Sequence, residues 1–369
     1  MSPPASSPPS PPIRPRLSSE PLLDVQGLSV AFPTRDGVAR VVRDVSWQVA
    51  RGETVAVVGE SGSGKSVSML ALTGLLASPP ARIGGQARFD GIDLVGADTE
   101  TLRALRGERI GMVFQNPMTS LNPYLRVGRQ VVEGLQAHRS RAALSRRAAR
   151  ERAVELLAMV GIPEPRRRVD DYPHEFSGGM RQRVMIATAL ACDPDLLVAD
   201  EATTALDVTT QAQIIDLVGE LQARLGMAVI WISHDLGVVA RIAHRVVVMY
   251  AGQVVEEAGV DALYADTRHP YSAGLLRALP VLEPALPPVA PSGDSSAAAN
   301  RADLLTIEGL PPDPRRLPPG CAFYPRCPHR LDERCATEPP PLREVAPGHF
   351  IRSFYSEPNP TADRGGSDG

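Results

Sequence analysis

The chain has 369 residues and a formal net charge of −3, so no basic excess points to a nucleic-acid partner. No run of about 18 apolar residues occurs, which argues against a membrane-spanning helix. The Pro/Ser-rich start lacks the apolar stretch of a secretory signal, so the chain is expected to stay in the cytoplasm.

Residues 1 to 20 are of low complexity and expected to be disordered. From Leu22 to Val49, alternating apolar residues predict antiparallel strands that turn at Arg35-Asp36-Gly37. Val55 to Val58 is a short apolar run ending in a glycine loop, and Val67 to Leu76 reads as a helix. Residues 120 to 192 are rich in Arg, Ala, Leu and Glu at helical spacing. Three further apolar runs, Leu196 to Ala199, Ala228 to Ile232 and Val246 to Met249, alternate with helical stretches such as Thr209 to Leu225. Buried parallel strands with crossover helices follow from that pattern. Residues 281 to 320 are Pro/Ala/Ser-rich and read as a linker into a small C-terminal module, with a tail from 356 onward expected to be disordered.

Between the first apolar run and its helix lies Gly59-Glu60-Ser61-Gly62-Ser63-Gly64-Lys65-Ser66. Glycines at this spacing let successive N–H groups and a helix N-terminus wrap phosphate oxygens. Lys65 is placed to reach the β- and γ-phosphates of a nucleotide, and the Ser66 hydroxyl to ligate Mg²⁺. Of the 39 Lys and Arg residues one is lysine, and it is Lys65. An ammonium is a compact point charge that fits a backbone nest, whereas a guanidinium is a broad fork. The bland reading of the segment is a glycine-rich turn. The strand, loop and helix order favours the phosphate site.

Leu196-Leu197-Val198-Ala199-Asp200-Glu201 delivers two carboxylates to the tip of a buried strand. Asp200 is expected to hold Mg²⁺, and Glu201 to act as general base towards an attacking water. An ordinary acidic strand end is the alternative; the glycine loop upstream makes it the weaker one.

With these residues the sequence resembles the ATP-binding-cassette transporter ATPases. Phe176-Ser177-Gly178-Gly179-Met180-Arg181-Gln182-Arg183 looks like the family signature, with Met180 where glutamine is usual. The resemblance implies that Ser177, Gly178 and Gly179 close over the γ-phosphate held by a partner cassette. Gln115 resembles the glutamine that senses Mg²⁺ and the attacking water. Asp207, in Ala205-Leu206-Asp207, resembles the loop that crosses the dimer interface, and His234 the switch histidine at the γ-phosphate. Phe32 is a candidate for stacking on adenine, with a core strand residue as the alternative. Ala202 stands where proline is common after the catalytic glutamate.

The fold implied is α/β, a P-loop NTPase cassette over residues 21–280. It combines a parallel core sheet with flanking helices, an antiparallel β-subdomain and an α-helical subdomain at about 116–190. A C-terminal extension with a cysteine motif would fill 281–355. The resemblance is nearest to the D-type ATPases of dipeptide/oligopeptide importers. It rests on Phe114-Gln115-Asn116-Pro117-Met118-Thr119-Ser120-Leu121-Asn122-Pro123, on His269-Pro270-Tyr271 with Leu275-Leu276, and on Leu317-Pro318-Pro319-Gly320-Cys321. It implies a paralogous ATPase as dimer partner, two permease subunits docking after Gln115, and an extracytoplasmic binding protein that delivers substrate. The same engine could serve nickel or glycosides, and a soluble, non-transport ATPase of the family is the alternative class.

Cys321, Cys327 and Cys335 lie close in sequence, while Cys192 reads as a small buried apolar residue. Importer ATPases of this type often carry a four-cysteine iron–sulfur motif. Here Pro347-Gly348-His349 is followed by Ser353 where the fourth cysteine would stand. Three readings stay open: a [4Fe–4S] cluster completed by Ser353 or an external ligand, a Cys₃His zinc site using His329 or His349, or a metal-free docking loop.

Overall fold

Strand β1 (Leu23–Thr34) pairs antiparallel with β2 (Gly37–Val49), the turn falling at Arg35-Asp36 as the alternation predicts. The computed structural model describes residues 20–115, 120–137, 145–204, 206–279 and 307–355. The expected disordered start and tail, most of the linker, Asn116 to Thr119 and Ala205 lie outside the described residues. On its other edge β1 pairs with β4 (Arg82–Phe89), which in turn pairs with the short β5 (Ile92–Asp93). The inward side chains of this sheet, among them Val25, Val30, Val45, Trp47 and Phe89, are buried together.

The main sheet has eight strands among the described residues, in the order Leu342–Ala346 (β11), His349–Arg352 (β12), Gln253–Gly259 (β10), Arg245–Tyr250 (β9), Thr54–Val58 (β3), Ala228–Ser233 (β8), Leu196–Asp200 (β7) and Ile110–Val113 (β6). Its parallel part runs from β9 through β3, β8 and β7 to β6. Both faces of these strands are covered, which is why they read as unbroken apolar runs. β6 escaped the sequence reading because Gly111 interrupts it. A Cβ there would lie 2.5 Å from the Ala189 carbonyl oxygen, so glycine lets a helix end approach the strand.

Helix α1 (Lys65–Leu72) follows β3, starting two residues earlier than expected and ending before Gly74. At Gly74 the backbone turns left-handed at φ 64°, and a Cβ would meet the Leu102 side chain at 2.5 Å. α2 (Thr99–Leu105) precedes β6. The helical part then contains α3 (Val127–Ala137), α4 (Arg146–Met159), the single turn α5 (Pro165–Arg168) and α6 (Gly178–Ala189). On α3, Val127, Val131 and Leu135 repeat at helical spacing and meet Leu156, Leu157 and Val184 in one core. Each fully buried leucine there contributes on the order of 1.5–3 kcal/mol. α7 (Val208–Leu225) and α8 (Leu236–Ile242) cross over between the parallel strands.

Beyond β9 the direction reverses. β10 (Gln253–Gly259) runs antiparallel to β9, and α9 (Val260–Ala265) and α10 (Pro270–Arg277) follow. After the undescribed stretch, α11 (Arg334–Thr337) leads to the hairpin β11 (Leu342–Ala346) and β12 (His349–Arg352). β12 pairs with β10, Glu256 opposite Ile351, so the C-terminal strands continue the main sheet. The described end of the expected linker, from 307 to 320, is docked on the body: Arg40 N–H donates to the Pro314 carbonyl at 2.9 Å, and Arg315 pairs with Asp36 at 3.1 Å.

Candidate nucleotide site

Sequence-predicted site residues converge at the carboxyl ends of β3, β6, β7 and β8, where ligands bind in open parallel sheets. β3, buried along its whole length, runs straight into Gly59. Gly59 has φ 149°, and a Cβ on it would sit 2.1 Å from the Met249 carbonyl oxygen. Gly64 has φ 99° and would clash with the Val41 carbonyl at 2.7 Å. The loop is thus laid directly on neighbouring backbone, and only glycine permits it. Among the described residues no side chain caps the start of α1.

Two side chains in the loop show what it lacks. The Ser63 hydroxyl is buried with no hydrogen-bond partner among the described residues. Lys65 is buried, and its Nζ donates to the Gly59 and Glu60 carbonyls at 2.7 and 3.0 Å. Burial lowers the Lys65 ammonium from its ordinary range, opposed by the charges of Glu201, Asp200 and Glu60. A cationic group folded onto its own loop, beside an orphaned hydroxyl, is the arrangement an anionic ligand would complete.

Asp200 faces the loop, and the Oγ of Ser66, the loop's last residue, donates to its Oδ1 at 2.9 Å. Burial pushes the Asp200 carboxyl up, the Ser66 hydrogen bond pulls it down, and Glu201 pushes it up again. Glu201 sits just past β7 at φ 48°, a left-handed conformation that costs a non-glycine residue of order 1–3 kcal/mol. Its N–H is anchored on the Ile232 carbonyl at 3.0 Å. Its carboxylate receives Gln115 Nε2 at 2.6 Å and the Thr204 hydroxyl at 3.3 Å, and lies 3.4 Å from His234 Nδ1. His234 remains half exposed. The carboxylate is held by its neighbours yet open to solvent, as a group that must meet water requires.

Residues 42–204 match the ABC transporter family, and 255–299 with 294–335 match the oligopeptide/dipeptide transporter C-terminal region. The oligopeptide transport ATP-binding protein OppD of Bacillus subtilis is 46% identical over 339 residues, covering 92% of this chain and 90% of that protein. OppD of Escherichia coli is 49% identical over 333 residues, 90% of this chain and 93% of its own. A putative peptide import ATP-binding protein of Brucella melitensis is 50% identical over 343 residues, 91% and 97% of the two chains. The chain belongs to the ABC transporter ATPases, in their oligopeptide-transport branch. The ABC cassette MJ0796, solved as a dimer bound to ADP and Pi, superposes with TM-score 0.58 at 30% identity, over 64% of this chain and 98% of that one.

In this cassette the signature segment stands apart from the phosphate loop. Ser177 caps α6, its Oγ accepting from Met180 N–H at 3.3 Å. Ser177 and Gly178 are exposed. The side-chain space of Gly178 and Gly179 borders Leu206 and Thr210, at the start of α7. Among the described residues no hydrogen bond joins this segment to Gly59–Ser66. Asp207 caps α7, its carboxylate accepting from Thr210 N–H and Oγ1 at 2.9 and 2.7 Å, and these bonds hold its carboxyl below the usual range. Phe32 is half-buried, opposite Ala39, and packs on the apolar core of the first sheet.

Glu60 departs from the sequence expectation. Its carboxylate turns away from the loop to Arg326, at 2.8 and 3.0 Å. Tyr271 also went unassigned; its hydroxyl accepts from Glu60 N–H at 2.9 Å. Nothing local betrays either tie, because the partners lie more than 200 residues away. Thr204 was legible in principle, standing one turn after Glu201.

The cysteine readings meet a different surrounding. Among the described residues no group of three His, Cys, Asp or Glu side chains is arranged to hold a metal ion. Cys321 N–H donates to the Cys335 carbonyl at 3.0 Å, and Cys327 Sγ faces the His329 carbonyl at 3.5 Å. Burial raises the Cys321 thiol and pushes Cys327 up to about 11, the neighbouring sulfurs adding to the rise. Ser353 Oγ accepts from Tyr355 N–H at 3.0 Å. Of the histidines considered for zinc, His329 stacks on Tyr355 and His349 is buried against Glu256 at 2.8 Å. The expected cluster, with or without Ser353, and the Cys₃His zinc site therefore do not fit this arrangement.

Proposed function

We propose that this ATPase drives import of di- or oligopeptides. It would do so together with a paralogous cassette, from the cytoplasmic face of a membrane, through two permease subunits served by an extracytoplasmic binding protein. The observation that carries the reading is the gathering of Lys65, Ser66, Asp200, Glu201, Gln115 and His234 at one end of the main sheet. The peptide class is supported by the relatives named for oligopeptide transport.

In this reading Lys65 exchanges the Gly59 and Glu60 carbonyls for the β- and γ-phosphates of ATP, and the loop N–H groups with Ser63 Oγ take the remaining oxygens. The Ser66 hydroxyl, the Asp200 carboxylate and the Gln115 side-chain oxygen form the hard oxygen set that suits Mg²⁺. When bound, that ion neutralises charge on the phosphates. Glu201 accepts the proton of the attacking water, while Gln115, Thr204 and His234 fix its carboxylate. Phe32 stacks on the base. Ser177, Gly178 and Gly179 cover the partner's nucleotide, and Asp207 lies in the same interface, which is consistent with Val208 being 83% exposed there. Phe114 and Tyr124, 42% and 87% exposed on either side of the segment after Gln115, supply apolar surface for a permease. The cysteine module enters no step.

The test is uptake of a labelled dipeptide by cells lacking the gene, complemented with the native chain or with Glu201→Gln. Uptake restored by the native chain alone supports the reading. Undiminished peptide uptake in the deletion strain, with loss of nickel or glycoside uptake instead, would overturn the substrate class.

A further inference from the structure

The phosphate loop is gripped from outside the cassette core. Glu60, its second residue, carries the loop's one carboxylate, which points out of the loop, and both of its oxygens are taken by the Arg326 fork. The Arg326 side chain is 5% exposed and Glu60 27%, so the pair is largely shielded from water and its geometry is the strong, bidentate one. Arg326 is itself fixed from behind. It donates to the carbonyls of Glu308 and Ile307 at 3.0 and 3.1 Å, and its guanidinium lies over the Tyr250 ring. Tyr250, Tyr271 and Phe323 pack their rings together beneath it, and Tyr271 holds the Glu60 N–H. Arg326 lies in the turn Tyr324–Arg326, directly before Cys327 and five residues after Cys321.

We propose that Arg326 is a positioning residue for nucleotide binding: through Glu60 it holds the phosphate loop in its binding conformation, so the C-terminal extension sets the affinity for ATP. The physical need is plain. Gly59, Gly62 and Gly64 all have positive φ, and a loop so rich in glycine loses much conformational freedom when it closes on phosphate. A clamp that fixes its entry before the ligand arrives removes part of that cost. The clamp leaves the reacting groups alone, since Glu201, Gln115 and His234 have no contact with Arg326 among the described residues. It therefore acts on binding and not on the chemical step.

The experiment measures the dissociation constant of Mg-ATP for the full-length native chain, Arg326→Ala, Glu60→Gln and the double variant. Arg326→Ala and Glu60→Gln are each expected to weaken binding about five- to tenfold, and the double variant no further than the worse single one, because both remove one interaction. In the assembled transporter the KM for ATP rises by the same factor while kcat at saturation holds. Glu60→Gln guards against a mere folding defect, as it removes the charge and one of two acceptor oxygens from a partly exposed side chain and leaves the Arg326 anchors intact. Unchanged affinity in Glu60→Gln, additive losses in the double variant, or a fall in kcat at unchanged KM would overturn the proposal.

Discussion

Polar groups at the ends of β3, β7 and β8 are left half-finished, whereas the Glu256 carboxylate beneath β10 and β12 has its partners in place, although Ser272 Oγ nearby is buried without a partner among the described residues. At the nucleotide site Ser63 Oγ lacks a partner among the described residues, Lys65 is folded onto its own loop, and Glu201 is held in a strained conformation with solvent access. Beneath β10 and β12, Glu256 is fully buried and its carboxylate accepts from His349 Nε2 and from the N–H groups of Arg268 and His269, at 2.8, 2.7 and 3.1 Å. His269 is buried too, and its Nδ1 accepts from Tyr271 N–H at 3.1 Å. Both corners were flagged in the sequence by a short string, the glycine loop in one and His269-Pro270-Tyr271 in the other. Satisfaction separates them: one corner waits for a ligand, and the other ties the C-terminal strands to the sheet.

The largest effect should come from the open corner and leave stability alone. Glu201→Gln removes the proton acceptor but keeps the shape, so turnover in the assembled transporter should fall about 10³-fold, ~4 kcal/mol of barrier. The denaturation midpoint of the isolated chain should hold, because the substitution keeps the side chain's shape and the backbone conformation and touches a group open to solvent. A loss of stability equal to the loss of activity would erase the contrast.

The closed corner should answer in the opposite sense. Glu256→Ala strands His349 Nε2 and two backbone N–H groups in the interior, and should cost about 3 kcal/mol of unfolding free energy in urea titrations. Glu256→Gln keeps one acceptor oxygen and should cost less. At a temperature where the variant stays folded, ATP affinity should change little. A stability unaffected by Glu256→Ala would show that the network is dispensable.

The pH dependence should also arise there. Burial depresses His269 from 6.5 to about 4, the Glu256 charge only partly opposing it. Between those values the unfolded chain binds more protons than the folded one, so this contribution is complete above about pH 6.5 and shrinks as pH falls towards 4. The loss from pH 7.5 to 5 should be about 2 kcal/mol. His269→Asn retains a cap acceptor for Tyr271 N–H and has no proton to gain, so its stability curve should be flatter over that window. An equal slope in both chains would assign the titration elsewhere.

The two corners were not equally legible. The phosphate loop declares itself because its chemistry is local: eight consecutive residues after an apolar run carry glycines, lysine and serine where backbone wrapping needs them. Asp200, Glu201 and His234 were found for a related reason, each closing a buried parallel strand. The closed corner depends on burial and on partners far apart in the chain, Glu256 with His349, as does the tie of the phosphate loop's Glu60 to Arg326, and no spacing rule connects those positions. β6 and β10 were missed on the same ground, Gly111 being explained only by the helix end it admits. The cysteine triplet left three readings open because closeness in sequence does not say whether thiols converge, and among the described residues no group of three His, Cys, Asp or Glu side chains is arranged to hold a metal ion.

Ser177 belongs to both kinds of site, and its effect on stability should be the smallest. As the cap of α6 its hydroxyl accepts one backbone hydrogen bond, so Ser177→Ala should cost the isolated chain about 1 kcal/mol or less. As the proposed cover for a partner's γ-phosphate it should matter far more to turnover of the assembled transporter. Ser177→Asp separates the two roles. Aspartate is as good a cap, and its charge favours the helix N-terminus, so the isolated chain should regain its stability. The same charge would face the phosphate across the dimer and repel it, so turnover should stay low. If Ser177→Asp restored turnover along with stability, Ser177 would be a helix cap alone, and the exposed turn at Ser177 and Gly178 would have no part in closing the partner's site.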